Sequence, residues 1–457
     1  MKRLKQIFQI IIVAIVLTST AYSQQVRSSY FSVNQIGGAG KTIVRASIPL
    51  NMLVVSSFSN EDRITKFAFL KKNSNVVKYI ELPYNYTVND FVILDSCIYF
   101  CGQTGFGNKA YIGMSAMTTS LQGANTYCIL TIDSAATLTK LVAYKGTVAS
   151  AVGITAIGTP KNTAYTSCVV DVNNHANPGS SWEYCYGQVA GEEITDICDA
   201  GELLATVGKP KLSTSGSGIS VISPTLHLRT YKKDNVLAEG MSGIVHKYTN
   251  YISPYSGGGF LVEKVDSYNI AVVGASSVSR LYTYYPITIS KININTFVMN
   301  NKQQITYDST RSRTLEDLEY FPTTNSLGIL TNVPNTIGEL LFANMSKTSA
   351  YTSSRLRRDD NLFKSITESN NGNFAIICSP LMTMTENVSV LFENISIFKD
   401  SQCSTDASMS VSAQTLNQAS TTQTKSFDTY NYLANWIHSS TTLYETTVNI
   451  HCASYYK

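Results

Sequence analysis

Charged side chains make up only 14% of this chain, against about a quarter in ordinary globular proteins, and tryptophan occurs twice. No sign of charge dominates. The formal charge is +4, but Lys2, Arg3 and Lys5 lie in a segment expected to be removed, which leaves 32 basic residues against 31 acidic. A chain so close to neutral has no electrostatic footprint for nucleic acid or an anionic membrane. Beyond residue 17 no segment approaches the roughly 18 uninterrupted apolar residues of a membrane-crossing helix. Helical periodicity is almost absent as well. What is present is 44% hydrophobic residues over 457 positions, enough for a large core, and 28 tyrosines.

The chain opens MKRLKQIFQIIIVAIVLTSTAYSQQ. A basic start, an apolar run over residues 7–17 and the small residues Ala21 and Ser23 predict a signal peptide over 1–23, cleaved after Ser23. The run is about half the length that crosses a bilayer, so an uncleaved anchor is the poorer reading. No cysteine follows it, so lipidation there is not expected. The mature protein is expected to be exported, to the periplasm, cell surface or medium, with no transmembrane segment.

All nine cysteines lie in the mature chain, and an odd number leaves at least one thiol unpaired. Cys168 and Cys185 flank the turn-rich HANPG and would face each other across a hairpin, so a bridge is expected there. Cys403 and Cys452 bracket the C-terminal segment and form a second candidate pair. Cys97 and Cys101 are too far apart along one strand to bond. No pair has CxxC spacing.

A short apolar strand, a tight polar turn and a second strand ending in a small residue recur along the chain. Copies lie at 91–102, 194–208, 260–275, 315–332 and 363–379, with weaker ones at 44–57 and 152–170. Each is followed by more polar strands such as KAYIGM (109–114) and LHLRTY (226–231). A period of about 50 residues matches a four-stranded blade. The region resembles the β-propeller superfamily, and signal and composition resemble secreted proteins of Bacteroidetes-type bacteria. The resemblance implies an all-β propeller over 24–400 with seven four-stranded blades; six or eight blades, or paired β-sandwiches, are the alternatives. The strand at 28–35 is expected to complete the last blade. Residues 401–457 then form a Ser/Thr-rich appendage or an extra hairpin.

GGAGKT (37–42) lacks the glycine spacing of a phosphate loop and runs into a β-branched stretch, so it reads as a loop. The five histidines have no metal-ligand spacing, and His227 alternates as a residue of a wet strand face. No Gly-x-Ser-x-Gly elbow or HExxH is present. Asp95, Asp199, Asp266 and Glu368 recur at the first turn of the repeat and read as turn residues. In a propeller the loops entering the first strands, and those between second and third strands, share one face. Phe106, Lys109, Lys209, Arg280, Arg311, Arg313, Glu316 and Asp317 fall in or beside such loops and are the candidate ligand contacts. The function expected is non-catalytic binding of a protein or a glycan, with no cofactor or metal. A polysaccharide hydrolase or lyase with carboxylates or Tyr in the central funnel, and a structural cell-surface component, are the alternatives.

Overall fold

The computed structural model describes residues 26–37, 40–71, 74–105, 109–117, 125–146, 152–162, 164–173, 182–211, 225–233, 242–248, 260–275, 287–305, 314–333, 337–345, 354–359, 361–370, 372–380, 387–394, 405–408, 420–426, 428–434 and 436–455. The expected signal peptide, Phe106, Arg280, Arg311, Arg313 and Cys403 lie outside them.

The fold is all-β. After β1 (Val26–Gly37) the chain forms successive antiparallel meanders. The first joins β2 (Thr42–Ser47), β3 (Met52–Ser59), β4 (Ile64–Lys71) and β5 (Val76–Glu81). The second joins β6 (Tyr86–Leu94), β7 (Cys97–Thr104), β8 (Lys109–Ala116) and β9 (Asn125–Ile132). The third joins β10 (Ala135–Lys145), β11 (Val152–Pro160), β12 (Ser167–Asn173) and β13 (Trp182–Val189). The fourth joins β14 (Glu192–Asp199), β15 (Leu203–Pro210), β16 (Leu226–Lys232) and β17 (Ser242–Tyr248). The fifth joins β18 (Phe260–Lys264), β19 (Asn269–Ala275), β20 (Ile287–Asn293) and β21 (Met299–Ile305). The sixth joins β22 (Thr314–Phe321), β23 (Ser326–Val333), β24 (Ile337–Asn344) and β25 (Ser354–Asp359). The last has β26 (Asn361–Asn370), β27 (Asn373–Pro380) and β28 (Asn387–Asn394), and β1 supplies its fourth strand, pairing Ser32 with Ser389.

First strands touch one another in order, β2 to β6, β10, β14, β18, β22 and β26, and β26 returns to β2. Each neighbouring pair of meanders shares one apolar core, including the last and the first, where Val33, Val44, Val55, Ile377 and Val390 meet. Such a circuit fits a β-propeller. It explains the apolar second strands: β23, SLGILTNV, is buried along its whole length because a neighbouring sheet covers each face. Each Val, Leu or Ile so buried contributes about 1.5–3 kcal/mol.

Two expectations about organisation are corrected. The weak copy at 152–170 is not a first pair of strands. It is β11 and β12, and the true first strand is β10, AATLTKLVAYK, whose polar residues hid it. The described part of 401–457 forms neither a separate appendage nor an extra hairpin. Its strands are β29 (Thr405–Ser408), β30 (Ser420–Ser426), β31 (Asp428–Ala434), β32 (Ile437–Thr441) and β33 (Tyr444–Tyr455). They add in turn to β25, β17, β13 and β9, and β33 pairs with β5 over Tyr444–Thr447 and with β1 from Val448 on. The tail runs back around the rim as a belt, and its described strands pair the outer edge of every blade but the fifth, where β21 ends the sheet among the described residues. Stacked rings hold it: Tyr432 on Tyr184 and Tyr444 on Tyr79, with centroids 5.1 and 5.2 Å apart.

Candidate functional site

The first strands carry a repeated irregularity. Ladder pairing to the second strand skips one residue, at Asn89, Thr139, Thr195, Glu316 and Lys364. Such a bulge bends the strand and re-aims the next side chain. The residues that follow are Asp90, Lys140, Asp196, Asp317 and Ser365. Opposite three of the bulges the second strand carries glycine. A Cβ at Gly102, Gly158 or Gly208 would run into the carbonyl oxygen of Thr87, Thr137 or Glu193. At these three blades a side chain larger than hydrogen has no room opposite the bulge.

Asp90, Lys140, Asp196 and Asp317, with Arg45, Glu263 and Glu319, line a cavity of about 300 Å³ among the first strands. The lining reaches Asp199 and Lys264 at the C-terminal ends of β14 and β18. Arg45 Nη1 donates to Asp317 Oδ2 at 3.1 Å and to Ser365 Oγ at 2.9 Å, and Nη2 to Asp90 Oδ1 at 3.3 Å. Lys140 Nζ lies 3.9 Å from Asp196. Three of the acids also clasp the next blade. Asp90 accepts from Leu141 N–H at 3.2 Å, Asp196 from Val262 N–H at 2.9 Å and Asp317 from Ile366 N–H at 3.1 Å. Bulge residues reach across as well: Asn89 Nδ2 donates to Leu138 O and Thr195 Oγ1 to Phe260 O, both at 2.7 Å.

Five carboxylates face Arg45 and Lys140 here, and their proton affinities diverge. Burial alone would raise Asp317, but Arg45, Lys140 and the hydrogen bonds from Ser365 and Ile366 hold it below the ordinary range. Burial pushes Asp196 up to about 6, with Lys140 opposing. Burial, helped by Asp196 and Asp317, lifts Glu263 to about 8, and burial beside Glu263 lifts Glu319 well above its usual value. Among the described residues no three His, Cys, Asp or Glu side chains converge as a metal site.

Of the expected contact residues that are described, Asp317 alone lines this cavity. Its neighbour Glu316 is the bulge residue and turns away to accept from Thr314 Oγ1 at 2.6 Å. Lys109 and Lys209 sit at the end where first strands begin, paired with Asp133 at 3.0 Å and Glu193 at 3.5 Å. The turn acids cap turns: Asp266 accepts from Tyr268 N–H and Asn269 Nδ2, Asp199 from Gly201 N–H and Glu368 from Gly372 N–H. Arg45, Asp90, Lys140, Asp196, Glu263 and Glu319 stand outside the loops that the sequence offers as contacts; the signal for four of the channel residues is that Asn89-Asp90-Phe91, Thr139-Lys140-Leu141, Thr195-Asp196-Ile197 and Glu316-Asp317-Leu318 repeat a polar pair before an apolar residue.

Two further expectations are corrected. His227 faces no solvent; it is 3% exposed beside Glu192 and Arg229, because the preceding blade covers that side of β16, the side on which Tyr231 meets Val142 and Tyr144. Cys168 and Cys185 are free thiols. Cys168 stands opposite Gln188 and Cys185 opposite Asp171, so the register is three residues from the one a bridge requires and puts the sulfurs on different faces. Cys452 is not among the free thiols.

Among the described residues no helix is long and apolar enough to cross a membrane. No family model matches the chain, and no curated protein matches it. Among solved structures it is similar to the crystal structure of the N-terminal domain of Nup159, at 7% identity and a TM-score of 0.33, covering 81% of this chain and 96% of that one. The fold assignment rests on the chain's own circuit of first strands.

Proposed function

We propose that this is an exported, non-catalytic propeller of seven four-stranded blades that binds a protein or a glycan. Recognition runs through the loops at the end where first strands begin. The observation that carries the reading is how the channel charges are used. Asp90, Asp196 and Asp317 each hold the backbone of the following blade, so the ring is a rigid scaffold and its loops are left for recognition. Lys109 and Lys209 stand at that end, about half and one-fifth exposed along the side chain. The test has two parts. Culture fractionation should find a chain beginning at Gln24 outside the cytoplasm. A glycan array probed with it should return a ligand whose binding falls with alanine at Phe106, Lys209, Arg280 or Arg313. Retention in the cytoplasm, or binding untouched by all four changes, would overturn the reading.

A second reading, a polysaccharide hydrolase or lyase, is favoured by one observation. Glu263 and Asp317 share a channel while burial and Arg45 drive their proton affinities apart, the pattern of an acid and a base. A reducing-end assay on a polysaccharide panel separates the two, since the binding protein releases no product. Export also permits a Cys403–Cys452 bridge securing the belt, which a two-hydrogen mass difference on reduction would reveal.

A further inference from the structure

Three sulfur and nitrogen side chains stand in a row at the rim of the second blade. Met114 on β8 faces Cys128 on β9, and Cys128 faces His438 on β32 of the belt. Residues directly opposite in antiparallel ladders share a sheet face, so all three project to one side. The Cys128 sulfur lies 2.9 Å from His438 Nδ1. Cys128 is 8% exposed, and Met114 packs against the same apolar core, which Trp436 closes two residues before His438. The His438 ring itself is reached from solvent. Neither Cys128 nor His438 makes a side-chain ion pair with a carboxylate among the described residues.

We propose that Met114, Cys128 and His438 form a site for a soft monovalent metal ion, Cu(I), that staples the belt to the second blade. Thiolate, imidazole and thioether are the ligand set that selects this ion over hard cations. Charge points the same way. The thiol proton leaves for solvent as the metal–sulfur bond forms, so a monovalent ion leaves this apolar rim neutral, whereas a divalent ion would leave a charge that no carboxylate offsets. Zinc would need four nitrogen, oxygen or thiolate ligands, and no third such group converges here among the described residues. One ligand comes from the belt, so the site exists only while β32 is docked.

The test titrates the reduced full chain with Cu(I) under argon against a chromophoric Cu(I) chelator, with Ag(I) as a redox-inert check by native mass spectrometry. One ion per chain is expected. Cys128→Ser and His438→Ala should each weaken uptake by about 100-fold or more, and Met114→Leu by about tenfold. Cys97→Ser, which alters a thiol beside the same core, should leave it unchanged. Metal should also slow amide exchange over 437–441. Because His438 is exposed on an edge strand, His438→Ala is expected to keep the wild-type circular dichroism. No competitive uptake by the wild type, uptake indifferent to His438→Ala, or uptake that follows Cys97 would each overturn the site.

Discussion

Replacing Asp317 by Asn tests whether the channel charges hold the ring together. Asp317 is 7% exposed and accepts from Arg45 Nη1 at 3.1 Å, Ser365 Oγ at 2.6 Å and Ile366 N–H at 3.1 Å. Asparagine keeps the shape but loses the charge, and its amide nitrogen can accept nothing. Asp90 would then be the one carboxylate left in an ion pair with Arg45 among the described residues. Removing one partner of a buried pair costs roughly 3–5 kcal/mol. The Arg45 side chain is 20% exposed to the channel, so solvent softens the loss toward about 3 kcal/mol, a hundredfold in the folding equilibrium. The control is Asp95→Asn, which breaks a 3.2 Å pair with Lys145 whose side chains are 67% and 70% exposed. That pair should be worth less than about 1 kcal/mol. Urea unfolding followed by circular dichroism, at pH 7 and at low and high salt, measures both. The difference should also vanish in acid. The Asp317 carboxyl titrates below its unfolded value, so its contribution is present above about pH 4 and is lost as pH falls through the lower folded value. Equal midpoints for the two variants at pH 7 would refute the rivet argument.

Other outcomes follow from the same geometry. Glu263 keeps its proton in the folded chain up to about pH 8, so wild-type stability should fall as pH rises from the ordinary carboxylate range to that value. Glu263→Gln should flatten this slope and be the more stable variant at pH 8.5 in the same urea assay, and a parallel slope would contradict the assignment. Gly102→Ala forces a Cβ against the Thr87 carbonyl and should cost about 1–3 kcal/mol or more, while alanine at Gly191, which meets no atom but has φ of +65°, should cost about 1 kcal/mol. Tyr432→Ala and Tyr444→Ala each remove a stacked ring worth about 0.5–1.5 kcal/mol beyond its buried area. Hydrogen exchange should quicken over the matching belt strand and the edge it covers while the first strands keep their protection.

The repeat was legible because its first two strands are apolar and its turns carry Asp, Asn and Gly, as in FVILDSCIYFCG. The closing role of β1 followed from an unpartnered early strand. Much of the channel was not legible, because Asp90, Lys140, Asp196 and Asp317 lie one residue past a bulge, and a bulge breaks the alternation that assigns faces. Asp317 shows this: beside Glu316 it reads as one of two loop acids, whereas the bulge sends one carboxylate inward and the other toward Thr314. The belt escaped for a different reason. STTQTKS and IHSST carry no apolar periodicity, and the side chains of IHSST are exposed or half-buried. Their pairing depends on edges that exist only after the ring has closed.

Closure is best tested by a disulfide across the seam. Ser32 and Ser389 lie opposite each other on β1 and β28, far apart in the chain, and antiparallel neighbours fall within disulfide reach. Thr42 and Ser57, paired within the first sheet, are the local control. Ser32→Cys with Ser389→Cys should oxidise as readily as the control pair and yield one linked peptide by mass spectrometry. Linkage of the control pair without linkage of 32 to 389 would contradict a ring closed by its own N-terminal strand.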